Sequence, residues 1–163
     1  MTHDTKITLR DYHENDAPSV GRLIAATFGE FNLDYASPQE RVLSLGPFQH
    51  AASQEPAHQA AIAEAIEADM LFVAEDAGEI VGVLRGRPDK LQSLFVRKDR
   101  HRQGIGRALV GHFERECRRR EAATIKVQAT LFAVPFYRSV GYKKQQACAL
   151  VGSLKARVFP TNP

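Results

Sequence analysis

Leu94-Phe95-Val96-Arg97-Lys98-Asp99-Arg100-His101-Arg102-Gln103-Gly104-Ile105-Gly106-Arg107-Ala108-Leu109 leads from an apolar strand through a basic, glycine-bearing turn into a helix. Beyond the turn, Ile105, Leu109, Phe113 and Cys117 recur at every fourth residue, with Ala108 and His112 beside them. Arg115, Arg118, Arg119 and Arg120 lie mostly elsewhere, so the segment predicts a helix with one buried face. The first N–H groups of any helix have no partner within it, and the aligned peptide dipoles leave positive potential at that end. Gly104 and Gly106 carry no Cβ, which lets the backbone bend tightly and an anion approach its amides. Arg102, Gln103 and Arg107 add donors around the same concavity. The expected guest is a phosphate or pyrophosphate; a plain structural turn is the alternative, because glycines also punctuate loops.

A second pattern follows in Thr124-Ile125-Lys126-Val127-Gln128-Ala129-Thr130-Leu131-Phe132-Ala133-Val134-Pro135-Phe136-Tyr137-Arg138-Ser139-Val140-Gly141-Tyr142. Ile125, Val127 and Ala129 alternate with polar residues as a half-buried strand does, and Pro135 suits the first turn of a short helix ended by Gly141. With His101-Arg102-Gln103-Gly104-Ile105-Gly106 and Phe136-Tyr137-Arg138-Ser139-Val140-Gly141-Tyr142 in this order, the chain resembles the GNAT superfamily of N-acetyltransferases. The family's acyl-CoA motif is Gln/Arg-x-x-Gly-x-Gly/Ala, and its later helix carries Phe-Tyr followed by Gly-Phe or Gly-Tyr. The resemblance is firm from about Met70 to Tyr142. His101 stands where the family has Gln or Arg, and its imidazole can still donate a hydrogen bond. Thr130 stands where many relatives carry an Asn that bonds the pantetheine arm, a contact its hydroxyl or backbone can replace.

The resemblance implies an α+β GNAT (acyl-CoA N-acyltransferase) fold: a mixed, mostly antiparallel sheet flanked by helices in the order β-α-α-β-β-β-α-β-α-β-β. It implies acetyl-CoA as donor and no metal. The strands ending at Val96 and beginning at Thr124 would run parallel and splay, with the pantetheine arm pairing with Leu94 and Val96 as an added strand would. The donor-binding set is then Leu94, Phe95, Val96, His101, Arg102, Gln103, Gly104, Ile105, Gly106, Arg107, Thr130, Phe132 and Phe136. The implied reaction is direct attack of a neutral amine on the thioester carbonyl, which requires loss of the ammonium proton, stabilisation of the oxyanion and protonation of the departing thiolate. Tyr137 matches the family position for that last role, its phenol having a reference pKa near ~10 against ~8.5 for a cysteine-like thiol. A strand amide near Phe95 or Val96 would meet the oxyanion. The base is unassigned, with Glu30, Asp34, Glu75 or a water chain as candidates.

The remaining segments frame this core. Ile7 and Leu9 predict a first strand, and Asp16 a cap for a helix with Val20, Leu23, Ile24, Thr27 and Phe28 on its inner face. Residues 29–56 are irregular apart from a helical turn at Arg41–Leu45; with the loop after Tyr142, this region would choose the acceptor. Glu30, Asp34 and Glu40 there hint at a cationic acceptor. An alanine-rich helix is expected over Ala57–Ala68, and a hairpin over Met70–Leu84 with its turn at Asp76-Ala77-Gly78.

At 163 residues the chain suits one domain spanning 1–163, and its 44% hydrophobic and 25% charged residues are ordinary for a soluble globular protein. Short, charge-interrupted apolar runs predict no membrane association, and the charged, strand-like start predicts a cytoplasmic location. Cys117 and Cys148 read as small buried hydrophobes, and His50 and His58 as solvent-exposed rather than metal ligands. The expected partner is an amine acceptor, on a small molecule or a protein, and homodimers are common in the family. Two alternatives stay open: a non-catalytic acyl-CoA-binding regulatory module, and a nucleic-acid-binding protein using the basic clusters at 97–107 and 115–120, although no nucleic acid is the expectation. A Rossmann dinucleotide fold is disfavoured, because no third glycine follows at the needed spacing.

Overall fold

Alternation in the central strands sorts their side chains onto two faces, and each face has its own layer of helices. The computed structural model describes residues 6–31, 37–129, 133–144 and 153–155. The strands are β1 (Thr8–Asp11), β2 (Met70–Asp76), β3 (Glu79–Arg87), β4 (Lys90–Val96), β5 (Lys126–Gln128), β6 (Lys143–Lys144) and β7 (Ser153–Lys155). The α-helices are α1 (Ala17–Phe31), α2 (Pro38–Leu45), α3 (Pro56–Ile66), α4 (Ile105–Arg119) and α5 (Val134–Ser139). The sheet runs β1-β2-β3-β4-β5-β7-β6. Among the described residues, only β4 and β5 are parallel, and the other neighbours are antiparallel. This is the expected α+β arrangement with one more helix. The chain between α1 and α3 holds the eight-residue α2, begun by a box in which the Ser37 hydroxyl accepts from the Glu40 amide and the Glu40 carboxylate accepts from the Ser37 amide.

On one face, Met70, Phe72 and Ala74 of β2, with Val81 and Leu84 of β3 and Leu91 of β4, pack with Ile105, Leu109, Val110, Phe113 and Cys117 of α4 and Tyr137 of α5. On the other, Val73 and Val83 pack with Val20, Leu23 and Ile24 of α1 and with Ile62 and Ile66 of α3. Asp16, expected to cap α1, instead ends a 3₁₀ turn, accepts from the His13 amide at 2.8 Å and pairs with Arg10 at 2.8 Å. The guanidinium holds its carboxyl below the ordinary range. His50 is exposed as expected, whereas His58 is half-buried, with its ring stacked on His50 at 3.8 Å and its Nδ1 2.8 Å from the Ser53 hydroxyl.

The β2–β3 hairpin turns on Ala77 and Gly78, both with positive φ, as a two-residue turn matched to strand twist requires. Arg85 lies opposite Ser93 while Gly86 lies opposite Leu91, so Gln92 is an extra residue on β4 and forms a bulge, which bends the strand that carries it. Cys117 is fully buried and its thiol is pushed up to about 12 by desolvation, as an inert core residue requires. Cys148 lies outside the described residues. Among the described residues, no helix is long and apolar enough to cross a membrane.

Helix α4 lies so close to the sheet that a Cβ on Gly86 would come within 2.6 Å of the Phe113 ring and 2.7 Å of the Lys90 carbonyl. Gly86→Ala should therefore destabilise the fold by about 1–3 kcal/mol through overpacking, read as a lower urea midpoint at unchanged slope. An unchanged midpoint would mean that α4 sits farther from β3.

Candidate active site

Among the described residues, parallel pairing between β4 and β5 covers only Lys90 with Lys126 and Leu91 with Val127. Beyond that point β4 continues through Val96 along β3, while β5 ends at Gln128 with its other edge on β7. The Arg97 amide donates to the Val81 carbonyl of β3 at 2.8 Å. By strand alternation, Phe95 and Ser93 also turn their backbone groups toward β3, and Leu94 and Val96 turn theirs into the gap. Of the three residues expected to meet the donor, Phe95 is thus the one whose amide faces away. Its ring lies on the α1 side, edge-on to Phe28 at 6.3 Å.

The turn after β4 is held at several points. Arg100 forms an ion pair with Asp76, which is 5% exposed at the end of β2, and Arg97 bridges Asp99 and Glu79 at 2.6 and 3.0 Å. His101 brings its Nε2 to 2.7 Å from the Val96 carbonyl, so Nε2 carries the proton and donates. Its own amide donates to the Lys98 carbonyl. Gln103 donates its side-chain amide to the Asp99 carbonyl at 3.2 Å. His101 and Gln103, both in the expected donor set, thus also brace the loop through their side chains. Arg102 and Arg107 are exposed and form no ion pair among the described residues.

Gly104 is the N-cap of α4, with φ of 81°, and it offers no side chain to the first-turn amides. The first α4 bond runs from the Ala108 amide to the Gly104 carbonyl at 2.9 Å, leaving the amides of Ile105, Gly106 and Arg107 directed out of the helix end. A Cβ on Gly104 would meet nothing within 4 Å, so the chain is open at the residue that leads into those amides. Positive potential and open approach at this helix end are what an anionic group requires. Gly106 has a different reason to be glycine: a Cβ there would stand 3.2 Å from the Phe136 ring and 3.8 Å from Leu94. Phe136 consequently lies beside both the start of α4 and the open edge of β4.

Tyr137 follows on α5, 5% exposed, its ring edge-on to Phe136 at 5.2 Å and to Tyr142 at 5.8 Å. Burial raises its phenol above the ordinary tyrosine value, so it remains a proton donor across the neutral range. Thr130 and Phe132 lie outside the described residues. So does Asp34, and nothing is described of the Glu30 side chain. Glu75, the remaining candidate base, is held by Arg10 at 2.8 Å, and Glu40 serves the cap of α2.

Part of each basic cluster is engaged within the fold. Arg97 and Arg100 are ion-paired as above, and Arg119 and Arg120 both bridge Glu116 on α4. Paired cations offer a nucleic-acid backbone little net charge. Among the described residues, no group of three or more His, Cys, Asp or Glu side chains is placed to hold a metal.

A family model described as the acetyltransferase (GNAT) domain matches residues 34–150. No curated protein matches the chain. Among solved structures, a GCN5-related N-acetyltransferase from Rhodopseudomonas palustris is 22% identical with a TM-score of 0.73, covering 98% of this chain and 99% of that one. The PaiA N-acetyltransferase from Thermoplasma acidophilum, in complex with coenzyme A, is 10% identical with a TM-score of 0.73, covering 94% and 99%. A GNAT family acetyltransferase from Brucella melitensis, in complex with acetyl-CoA, is 18% identical with a TM-score of 0.63, covering 98% and 92%. At these identities the likeness is one of fold.

Because Tyr137 keeps its proton in the folded protein above pH ~10, where an unfolded tyrosine loses it, its contribution to stability is full below that pH and declines as pH rises further. Urea unfolding across the alkaline range should lose stability less steeply in Tyr137→Phe than in wild type. Identical slopes would place the phenol in water.

Proposed function

The chain belongs to the GNAT acetyltransferases, and from that premise we propose that it moves the acetyl group of acetyl-CoA onto a primary amine of a small molecule or protein. One observation carries the proposal: the uncapped, glycine-led first turn of α4 stands beside Leu94 on the open edge of β4 and beside Phe136 of α5, whose ring abuts Tyr137. Two of the solved relatives are complexes with coenzyme A or acetyl-CoA, which supports the same donor here.

The amides of Ile105, Gly106 and Arg107, led by Gly104, hold the diphosphate in this reading, with Arg102 and Arg107 adding charge from the rim. Leu94 and Val96 present gap-facing backbone groups for the amides of an extended pantetheine arm, and Phe136 provides the apolar wall. His101 keeps the turn in register with the strand through the Val96 carbonyl. When bound, acetyl-CoA supplies an acyl group already activated as a thioester. Tyr137 donates its phenolic proton to the sulfur that leaves, and burial keeps that proton in place until it is needed. Thr130 and Phe132 keep their proposed places on the strength of the family motif. The chain acts as one catalytic domain in this reading.

Asp at Gly104 projects into open space and tolerates positive φ better than most residues, whereas Asp at Gly106 would strike Phe136. Calorimetry with acetyl-CoA should therefore give at least about tenfold weaker binding for Gly104→Asp, through like-charge repulsion at the helix end. Tyr137→Phe should bind acetyl-CoA like wild type and lose about 10²–10⁴-fold in turnover, followed as thiol release with an amine library. Unchanged turnover in Tyr137→Phe would remove the general acid. A wild type that binds no acetyl-CoA would remove the proposed activity.

A further inference from the structure

Arg85 points from β3 to the α1 and α3 side of the sheet, directly across from Ser93 of β4. Its Nε donates to the Ser93 hydroxyl at 2.8 Å, and its Nη1 donates to the Ala65 carbonyl in the last turn of α3. A guanidinium has five N–H donors, so three remain after these two bonds. The ion-paired arginines described above each meet a carboxylate; Arg85 meets none among the described residues. Burial pulls its guanidinium below the ordinary value, with no carboxylate acting the other way. The α3 terminus contributes only the partial negative charge of its carbonyls, roughly half a unit. A half-buried cation with one face bonded and its full charge not matched is a binding element for an anion.

Its position along the strand says which anion is relevant. Ser93 is the first residue after the Gln92 bulge, where β4 has just parted from β5. From Val96 back to Ser93 the strand covers about 10 Å at roughly 3.3 Å per residue, so Ser93 lies toward the far end of an arm that begins at the α4 turn. Phe95, two residues on, and Phe28 of α1 line the same side with apolar surface. We propose that Arg85, oriented by Ser93, receives the carboxylate of the acceptor, so that the substrate is an amino acid or a similar small amine carrying a carboxylate close to its nitrogen. This inference rests on the acetyltransferase reading and narrows its acceptor. It also runs against the cationic acceptor hinted at by Glu30, Asp34 and Glu40, of which Glu40 is occupied in capping α2.

The test compares acids with their neutral twins. Purified protein saturated with CoA is titrated calorimetrically with N-acetylated amino acids and with the corresponding carboxamides. In parallel, kcat/KM with acetyl-CoA is measured for the free amino acids and their amides. Wild type should favour the carboxylate member of a pair by about 30-fold or more, the scale at which a desolvated charge pair discriminates. Arg85→Lys should keep a preference of the same sign, because it keeps the charge, and Arg85→Gln should bring the ratio close to one, mainly through KM. Equal handling of acid and amide by wild type overturns the proposal. So does a loss in Arg85→Gln that falls equally on both, which would mark the guanidinium as only the cap of α3. Failure of wild type to bind CoA at all would overturn the acetyltransferase reading itself, and is seen separately in the saturation step.

Discussion

After Leu91 and Val127, two parallel strands stop sharing hydrogen bonds, and everything proposed for this molecule depends on that parting. A strand edge cannot be left without partners at no cost, because each unpaired N–H and C=O must find water or a guest. The protein separates the strands by two visible means. The extra residue Gln92 bends β4, and β5 turns its other edge to β7. The result is an edge at Leu94 and Val96 that an extended chain of amides can complete, with Phe136 alongside.

A gap of this kind selects a ligand only if its mouth is rigid, and the mouth is the first turn of α4. Three ties hold it: Arg100 to the buried Asp76, Arg97 to Glu79, and His101 to the Val96 carbonyl. Removing one partner of the Arg100–Asp76 pair would leave a buried charge without compensation, which is costlier than the pair is worth as a whole. Glycines of β3 let α4 settle onto the sheet, so Ile105 and Leu109 lie against β3 near Gly82 and Phe113 against Gly86. Stability and site geometry are therefore joined: the packing that buries the α4 face also aims its N-terminus.

The fold was legible because its two deciding segments carry period as well as motif. Ile105, Leu109, Phe113 and Cys117 mark the buried face of α4, and all four are buried. The hairpin, β5 and α5 likewise follow from alternation and from Pro135 and Gly141. What sequence alone misassigned were long-range partnerships. Nothing local tells that Asp16 meets Arg10, that Glu75 is taken by Arg10, or that His101 folds back onto the strand preceding it. Gly106 also makes room for Phe136, a requirement that depends on a helix thirty residues away. Arg85 was overlooked because a lone arginine in a strand looks like a solvent-facing residue. The available signal was Val83, an apolar residue two positions earlier and therefore on the same strand face, which packs against α1 and α3.

The central claim is that the donor lies along the β4 edge with its diphosphate on the first turn of α4. Amide chemical shifts of isotope-labelled protein titrated with CoA test it most directly. The largest changes should fall on Gly104 to Arg107 and on Leu94 and Val96, with Phe95 less affected because its amide faces β3. Changes centred instead on the opposite end of α4, around Arg119 and Arg120, or no saturable change at all, would contradict it.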